Sequence, residues 1–419
     1  MMINRIALMS VHTSPLAMLG GKETGGMNVY VRDLTLELSR RGIFVDVYTR
    51  SQDPALPRIN PLGDRGRVIH ISAGPERPYH KNRVYNHLDE FAAGVQAQVE
   101  AERVAYDLIY SHYWLSGLAA ARLRPLWQSP IVQMFHTLAE MKNRVAQTPA
   151  ERETNQRVNC EGEIMRFVDR LIAATPLEKN QMTWLYGADP DKISIVPPGV
   201  DLGRFKPLPK AEARQHLGIP AHHQMILFVG RIQPLKGIDI LLKALAQIRA
   251  REPAIAENIC LSIIGGDPNP DSDIEQAEFD RLGALRSGLG IGDLVTFLGA
   301  KDQDSLVYFY SAAEMVVMPS HYESFGMVAL EAMACGTPVI ASDVGGLSFS
   351  IEDGFNGYLV PGRDPQALAD KIILLLKHPV LSDQLSEQAQ AWVTRYSWVH
   401  IADELLDVFD QTLEGYFGG

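Results

Sequence analysis

Glu323 and Glu331 frame the segment His321-Tyr322-Glu323-Ser324-Phe325-Gly326-Met327-Val328-Ala329-Leu330-Glu331. Met315-Val316-Val317 ahead of it reads as a strand, and Ala332-Met333-Ala334-Cys335-Gly336-Thr337-Pro338 behind it supplies the Gly and Pro that stop a helix. The spacing therefore predicts a strand, an acidic loop, and a helix carrying its own carboxylate about one turn in. A helix start preceded by glycine offers backbone N–H groups and a positive dipole end to a phosphate, here through Phe325, Gly326, Met327 and Val328. Glu331 is then placed to accept hydrogen bonds from a sugar diol such as ribose, and Glu323 from a second sugar. Solvent-exposed acids on an ordinary βα unit are the plainer reading of the same pattern.

Two further strand ends point the same way. Met225–Val229 reads as a buried parallel strand that runs into Gly230-Arg231-Ile232-Gln233-Pro234-Leu235-Lys236-Gly237. Cations at the C-terminal end of a strand stand where open α/β sheets bind ligands. Arg231 can grip a diphosphate in a bidentate fork, and Lys236 adds a point charge. The strand Leu261–Ile264 ends in Gly265-Gly266-Asp267, where absent side chains let backbone approach a ligand. The expected product of these parts is a sugar-nucleotide pocket.

In the first half, Gly20-Gly21 and Gly25-Gly26 bracket a polar loop after the first strand, and Asn28 opens the first helix. That makes a backbone-rich concavity suited to phosphate or a sugar, although many such loops only turn the chain. His136 follows the buried strand Ile131–Phe135, at an end that should face the ligand crevice. A lone His there is also compatible with a satisfied core residue.

These segments resemble the family 4 retaining glycosyltransferases. The resemblance runs through His12-Thr13-Ser14-Pro15, Gly25-Gly26-Met27-Asn28-Val29-Tyr30-Val31, Ser111-His112-Tyr113-Trp114, Phe135-His136-Thr137-Leu138 and Ile195-Val196-Pro197-Pro198-Gly199-Val200-Asp201. Within that family the spellings are most similar to the inositol-phosphate glycosyltransferases and next to the sucrose-phosphate synthases. The resemblance implies two facing Rossmann-like doubly wound parallel-sheet domains, the GT-B fold. It implies transfer of glucose or N-acetylglucosamine from a UDP-sugar to a phosphorylated polyol or sugar, with inositol phosphate preferred over fructose 6-phosphate. Retention at the anomeric carbon follows, with departure and attack on one face and the diphosphate accepting the proton. It puts Arg231, Lys236, His136 and Glu323 at the chemistry, and Gly26, Gly266, Phe325, Gly326, Met327, Val328 and Glu331 on the donor. Asn28, Lys81, Tyr113, Thr137, Lys142 and Arg157 match the acceptor positions. The chain departs at Asn159, where the family pattern often carries a second Arg.

Bulk properties narrow the alternatives. A chain of 419 residues is long for one core. The formal net charge of −11 argues against a nucleic-acid groove, and with it any broad attraction to anionic lipid. Cys160, Cys260 and Cys335 lie far apart with no metal or disulfide spacing, as in a reduced cytoplasmic protein. No apolar run approaches the ~20 residues of a membrane span, and no signal peptide is expected. No metal cluster or cofactor motif is apparent. Mg2+ is compatible with the chemistry but not called for, and a homodimer is left open. A non-catalytic or oxidoreductase Rossmann protein would carry a G-x-G-x-x-G fingerprint after the first strand, and none is present.

The elements that must position these residues alternate in type. Strands are expected at Arg5–Ser10, Val45–Tyr48, Val68–Ile71, Leu108–Tyr110, Ile131–Phe135 and Leu171–Ala174, with helices over Met27–Arg41 and Leu88–Arg103. The second half repeats the scheme at Met225–Val229, Leu261–Ile264, Val295–Phe297, Met315–Val317, Val339–Ala341 and Gly357–Val360. Such alternation implies doubly wound parallel sheets. Pro197-Pro198-Gly199 and Lys206-Pro207-Leu208-Pro209 mark the join. Residues 1–205 are assigned to an acceptor-binding domain, with an amphipathic helix at about 400–419 expected to return to it, and 206–399 to a nucleotide-sugar domain.

Overall fold

The computed structural model describes residues 3–17, 24–78, 80–266 and 273–418. Gly20-Gly21 and Asp267 lie outside the described residues. Backbone contacts gather the chain into two units that part between Gly199 and Val200 and again between Ser397 and Trp398.

The first unit holds an eight-stranded sheet built from β1 (Arg5–Met9), β2 (Phe44–Arg50), β3 (Ile59–Pro61), β4 (Gly66–Ile71), β5 (Leu108–His112), β6 (Ile131–Met134), β7 (Arg170–Ala173) and β8 (Ile193–Ile195). Their order is β3-β4-β2-β1-β5-β6-β7-β8. Every pairing is parallel except β3 with β4, so the all-parallel expectation is corrected at this edge. Apolar residues such as Ile6, Leu8, Val45, Val47, Ile109, Ile131 and Val132 are fully buried, as strands covered on both faces require. The order reverses between β1 and β5, and ligands of open α/β sheets sit outside strand ends at such a switch.

The second unit carries β9 (Gln224–Val229), β10 (Ile259–Ile264), β11 (Val295–Phe297), β12 (Met315–Met318), β13 (Val339–Ser342) and β14 (Tyr358–Val360). They form one parallel sheet in the order β11-β10-β9-β12-β13-β14, with its switch between β9 and β12. The helix Ile238–Arg251 buries Ile238, Leu241, Leu242, Leu245 and Ile248 on one stripe, the spacing of an amphipathic surface helix.

The long helix Trp398–Phe417 belongs to the first unit. Trp398, Ile401, Ala402, Leu405, Val408, Phe409, Thr412 and Leu413 form its buried face. Each fully buried Leu, Ile or Phe there contributes roughly 1.5–3 kcal/mol. Arg41, just past the helix Gly26–Arg40, ion-pairs with Asp403 and donates to the Val399 carbonyl. At its start, the Trp398 ring packs against Tyr30 with centroids 5.2 Å apart and leaves Gly199 no room for a side chain. Among the described residues no helix is long and apolar enough to cross a membrane.

Candidate functional site

In the second unit the acidic loop is held from below by neighbours whose glycines permit contact. The His321 N–H donates to the Leu235 carbonyl at 2.8 Å, and a Cβ on Gly237 would lie 2.0 Å from the Pro319 oxygen. Lys236 and Glu323, far apart in sequence, thereby meet as an ion pair at 2.5 Å, each side chain slightly exposed. From the other side the Gly346 N–H donates to the Glu323 carbonyl at 2.9 Å. A Cβ on Gly345 would fall 1.9 Å from that carbonyl oxygen, and one on Gly346 would fall 2.2 Å from Phe325 Cα. Gly345 and Gly346 shape the loop, and sequence reasoning missed them. The sequence signal was a paired glycine a few residues past the strand Val339–Ala341, after Ser342-Asp343-Val344.

Gly326 has φ +95° and opens the helix Met327–Ala334, a conformation only glycine adopts without strain. Phe325 is buried, whereas Met327 and Val328 are half-buried at the helix start. Glu331 is buried as well. Tyr310 Oη–H donates to its Oε2 at 2.7 Å and Gln303 Nε2–H to its Oε1 at 3.2 Å. The sequence reading gave the carboxylate to a sugar diol; the structure ties each of its oxygens to the helix Gln303–Ala312. Burial, then the Glu331 charge, drives the Tyr310 hydroxyl well above its usual range, so it stays a donor.

Gly230 follows β9, and a Cβ on Gly265 would lie 1.8 Å from its carbonyl oxygen. The ends of β9 and β10 therefore touch. Gly266, with φ +69°, packs on Ile232 and Phe279. Arg231 is half-buried, and no hydrogen bond or ion pair engages it among the described residues.

In the first unit the five scattered candidates Lys81, Tyr113, Thr137, Lys142 and Arg157 come together. The three cations among them surround Glu153, which the sequence reading did not single out. Arg157 Nη1 lies 2.9 Å and Lys81 Nζ 3.5 Å from Glu153 Oε1, and Lys142 Nζ bonds the same oxygen. The Arg157 side chain is 0% exposed. The guanidinium stands 4.6 Å over the Tyr113 ring, and its Nε–H donates to Glu161 Oε1 at 2.7 Å. Its Nη2 donates to Thr137 O at 2.7 Å and Thr137 Oγ1 at 3.0 Å. Tyr113 Oη is buried without a hydrogen-bond partner among the described residues, which is unusual for such a group.

Charge in this cluster is strongly coupled. Burial, then the neighbouring Lys81, lowers the Lys142 ammonium to about 8, although Glu153 pulls it upward. For Glu153, burial alone would raise the carboxyl, but Arg157, Lys81 and Lys142 together outweigh it and hold it ionised. Asn159 is exposed on the helix Asn155–Phe167, and residues two apart on a helix do not share a face. The departure at Asn159 therefore leaves the cluster intact.

Asn28 proves to have a structural duty. Its Nδ2 donates to Thr13 Oγ1 at 2.6 Å and to Ser14 O at 2.7 Å, while its Oδ1 accepts from the Gly25 N–H at 2.9 Å. Its amide hydrogens thus tie down the loop after β1, and its Oδ1 caps the helix that Gly26 opens, a duty beside the acceptor role that the resemblance implies.

His136 follows β6 with φ +61° and Tyr113 follows β5 with φ +73°. A left-handed non-glycine residue costs of order 1–3 kcal/mol, and such residues cluster at functional sites. His112 Nδ1 and His136 Nε2 are 2.9 Å apart, with Tyr30 packed on both rings.

The glycosyltransferase family 4 pattern matches residues 24–204, and that of the glycosyl transferases group 1 matches residues 209–392. A D-inositol 3-phosphate glycosyltransferase of Saccharomonospora viridis is 41% identical over 415 residues, covering 99% of this chain and 95% of its own. The solved sucrose-phosphate synthase of Thermosynechococcus elongatus superposes with a TM-score of 0.90 at 35% identity, covering 98% of this chain and 100% of its own. Anabaena HepE, solved in complex with UDP and glucose, shares the fold at a TM-score of 0.74 and 22% identity, covering 98% of this chain and 100% of its own.

Proposed function

The chain belongs to the family 4 glycosyltransferases, and we propose that it moves a hexosyl group from a UDP-sugar to inositol phosphate, with retention at the anomeric carbon. One observation carries the acceptor side: Lys81, Lys142 and Arg157 converge on a single spot, with Tyr113 and Thr137 packed against Arg157. Three cations, a buried phenol without a partner and a hydroxyl suit a phosphate monoester better than a neutral sugar. The name of the S. viridis relative supports the same acceptor class.

On the donor side, Arg231 and Lys236 would meet the diphosphate, aided by the amides of Phe325, Gly326 and Met327. Glu331 would hold ribose and Glu323 the sugar hydroxyls, with Gly26 and Gly266 allowing close backbone approach. As the bond from the anomeric carbon to the diphosphate oxygen breaks, the acceptor oxygen bonds that carbon on the same face. The acceptor proton passes to the departing diphosphate, and UDP leaves. Fixed positive groups aimed at the charge that develops on the leaving group are the main rate-enhancing term. His136 would stand beside the donor sugar. This scheme requires no resident metal, and dialysis against EDTA should leave turnover within about twofold, less than the loss of one electrostatic contact. The setting we propose is the cytoplasm.

A second reading, fructose 6-phosphate with UDP-glucose, is favoured by the T. elongatus superposition. Mass spectrometry separates the two: UDP-glucose and UDP-N-acetylglucosamine are each offered with inositol phosphate and with fructose 6-phosphate. Product from inositol phosphate alone supports the first reading, and product from fructose 6-phosphate alone replaces it.

A further inference from the structure

Glu153 occupies the point on which the three cations converge, and a phosphate needs that same point. Its backbone is fixed by Asn143, whose Oδ1 accepts from the Glu153 N–H at 2.7 Å. The side chain extends from a short irregular segment between Glu151 and Asn155, outside any helix. Arg157 and Tyr113, by contrast, lie within helices, and Arg157 is anchored independently by Glu161 and Thr137. A rotation of the Glu153 side chain can therefore release the cations without moving their scaffold. The charges agree with an exchange. Lys81, Lys142 and Arg157 against Glu153 and Glu161 sum to +1, and removing Glu153 leaves +2, the complement of a phosphate dianion.

We propose that Glu153 is a built-in counter-anion of the acceptor site, which a phosphorylated acceptor must displace from Lys81, Lys142 and Arg157 in order to bind. Glu153 neutralises three mutually repelling cations between turnovers. It also makes weakly anionic or neutral acceptors poor competitors, because only a dianion outbids a carboxylate already in contact. The role rests on the phosphate-clamp reading above and assigns it a specificity element.

Glu153→Gln tests the exchange, with inorganic phosphate and the phosphorylated acceptor as probes. The variant should show a KM for phosphorylated acceptor lowered by about tenfold, the scale of one charge-assisted contact no longer opposed. Inorganic phosphate should inhibit it competitively at correspondingly lower concentration. Its unfolding temperature should fall below wild type without phosphate and rise further than wild type when phosphate is added. An unchanged or raised KM would overturn the proposal, because Glu153 would then be organising the cations for the acceptor. Should the Gln variant fail to fold, Glu153→Asp keeps the charge on a shorter arm. It should shift phosphate affinity in the same direction by a smaller factor, and weaker phosphate binding would count against the exchange. Failure of the underlying clamp is read separately, on wild type: equal use of phosphorylated and dephosphorylated acceptor would remove both readings together.

Discussion

His112 Nδ1 lies 2.9 Å from His136 Nε2, joining the last residue of β5 to the turn that follows β6. Burial, then the neighbouring His136, holds the His112 ring well below its usual range, and burial lowers His136 to about 3. Two neutral imidazoles share one proton across this contact. The pair links the two left-handed positions, Tyr113 next to His112 in sequence and His136 itself.

Acid should therefore destabilise the protein. An unfolded His binds a proton below about pH 6.5. Folded His112 and His136 do not until far lower pH, so the unfolded state holds more protons and stability falls as pH drops from 6.5 towards 3. Glu178 opposes this, because burial raises its carboxyl to about 7 and its folded form binds a proton that the unfolded form has lost. Thermal melts between pH 5 and 6.5, above the main carboxylate range, should show Tm rising with pH. A His112→Asn, His136→Asn double variant should flatten or reverse that slope, and an unaltered slope would refute the assignment.

Arg231→Ala and Lys236→Ala should each lower turnover by about 10²-fold or more, as expected for a lost leaving-group contact. The Lys236 variant also leaves Glu323 without its ion-pair partner, so its KM for donor should rise more than that of the Arg231 variant. Steady-state kinetics beside circular dichroism checks both. Near-normal turnover with intact fold removes that residue from the mechanism.

The donor half was legible because its grammar is contiguous: strand, glycine or acid, helix start, and stop signal within one short stretch. Trp398–Phe417 was read correctly because long amphipathic spacing is robust. The edge strands Ile59–Pro61 and Ile193–Ile195 were missed, each being three residues long and without alternation to read. The acceptor cluster was visible only by resemblance, since Lys81 and Arg157 come from separate elements. Glu153 carried no signal at all, because a lone acid in a polar segment ordinarily faces water. The capping duty of Asn28 was legible in its spacing from Gly25, three residues ahead, but was not read.

Gly346→Ala tests the support of the acidic loop. The added Cβ would meet Phe325 Cα and the Ser324 carbonyl at 2.2 and 2.3 Å, backbone that cannot yield as a side chain does. The turn at Glu323–Gly326 must shift, and kcat/KM should fall by about 10²-fold, since misplacing a site by about 1 Å costs that much. Gly283→Ala, where a Cβ would meet nothing within 4 Å, is the control and should keep full activity. Equal activity of the two variants would show that the loop tolerates displacement.

Glu331→Gln should weaken UDP binding and stability together. A charged acceptor is worth roughly 1.5–3 kcal/mol to a ribose diol. Tyr310 and Gln303 donate to different carboxylate oxygens, and in the Gln variant one of those positions becomes an NH2 that only donates. Tyr310→Phe separates the effects, costing about 0.5–1.5 kcal/mol of stability while leaving the carboxylate in place. Calorimetry should find UDP affinity lost in the first variant and retained in the second. Loss in both would make Glu331 a structural residue.

The acceptor clamp makes the last prediction, and the structure changes which variant can test it. Arg157→Ala would take from the fully buried Glu161 its Arg157 partner, and breaking a buried pair costs about 3–5 kcal/mol, so lost activity there could be lost fold. Lys142 is the better probe because it is partly exposed and lowered to about 8 by burial and Lys81. Above that pH the free enzyme loses one cation of the clamp. The KM for phosphorylated acceptor should therefore rise between pH 7 and pH 9, while the dephosphorylated form shows no parallel change. Lys142→Arg, which stays protonated throughout, should remove most of that rise, and Lys142→Met should show the high-pH KM already at pH 7. A wild-type preference for the phosphorylated acceptor of about 10²-fold or more is expected from two charge-assisted contacts. If the preference is large but unaffected by Lys142→Met, the phosphate is held by Lys81 and Arg157 without Lys142; if there is no preference, the cluster does not bind phosphate.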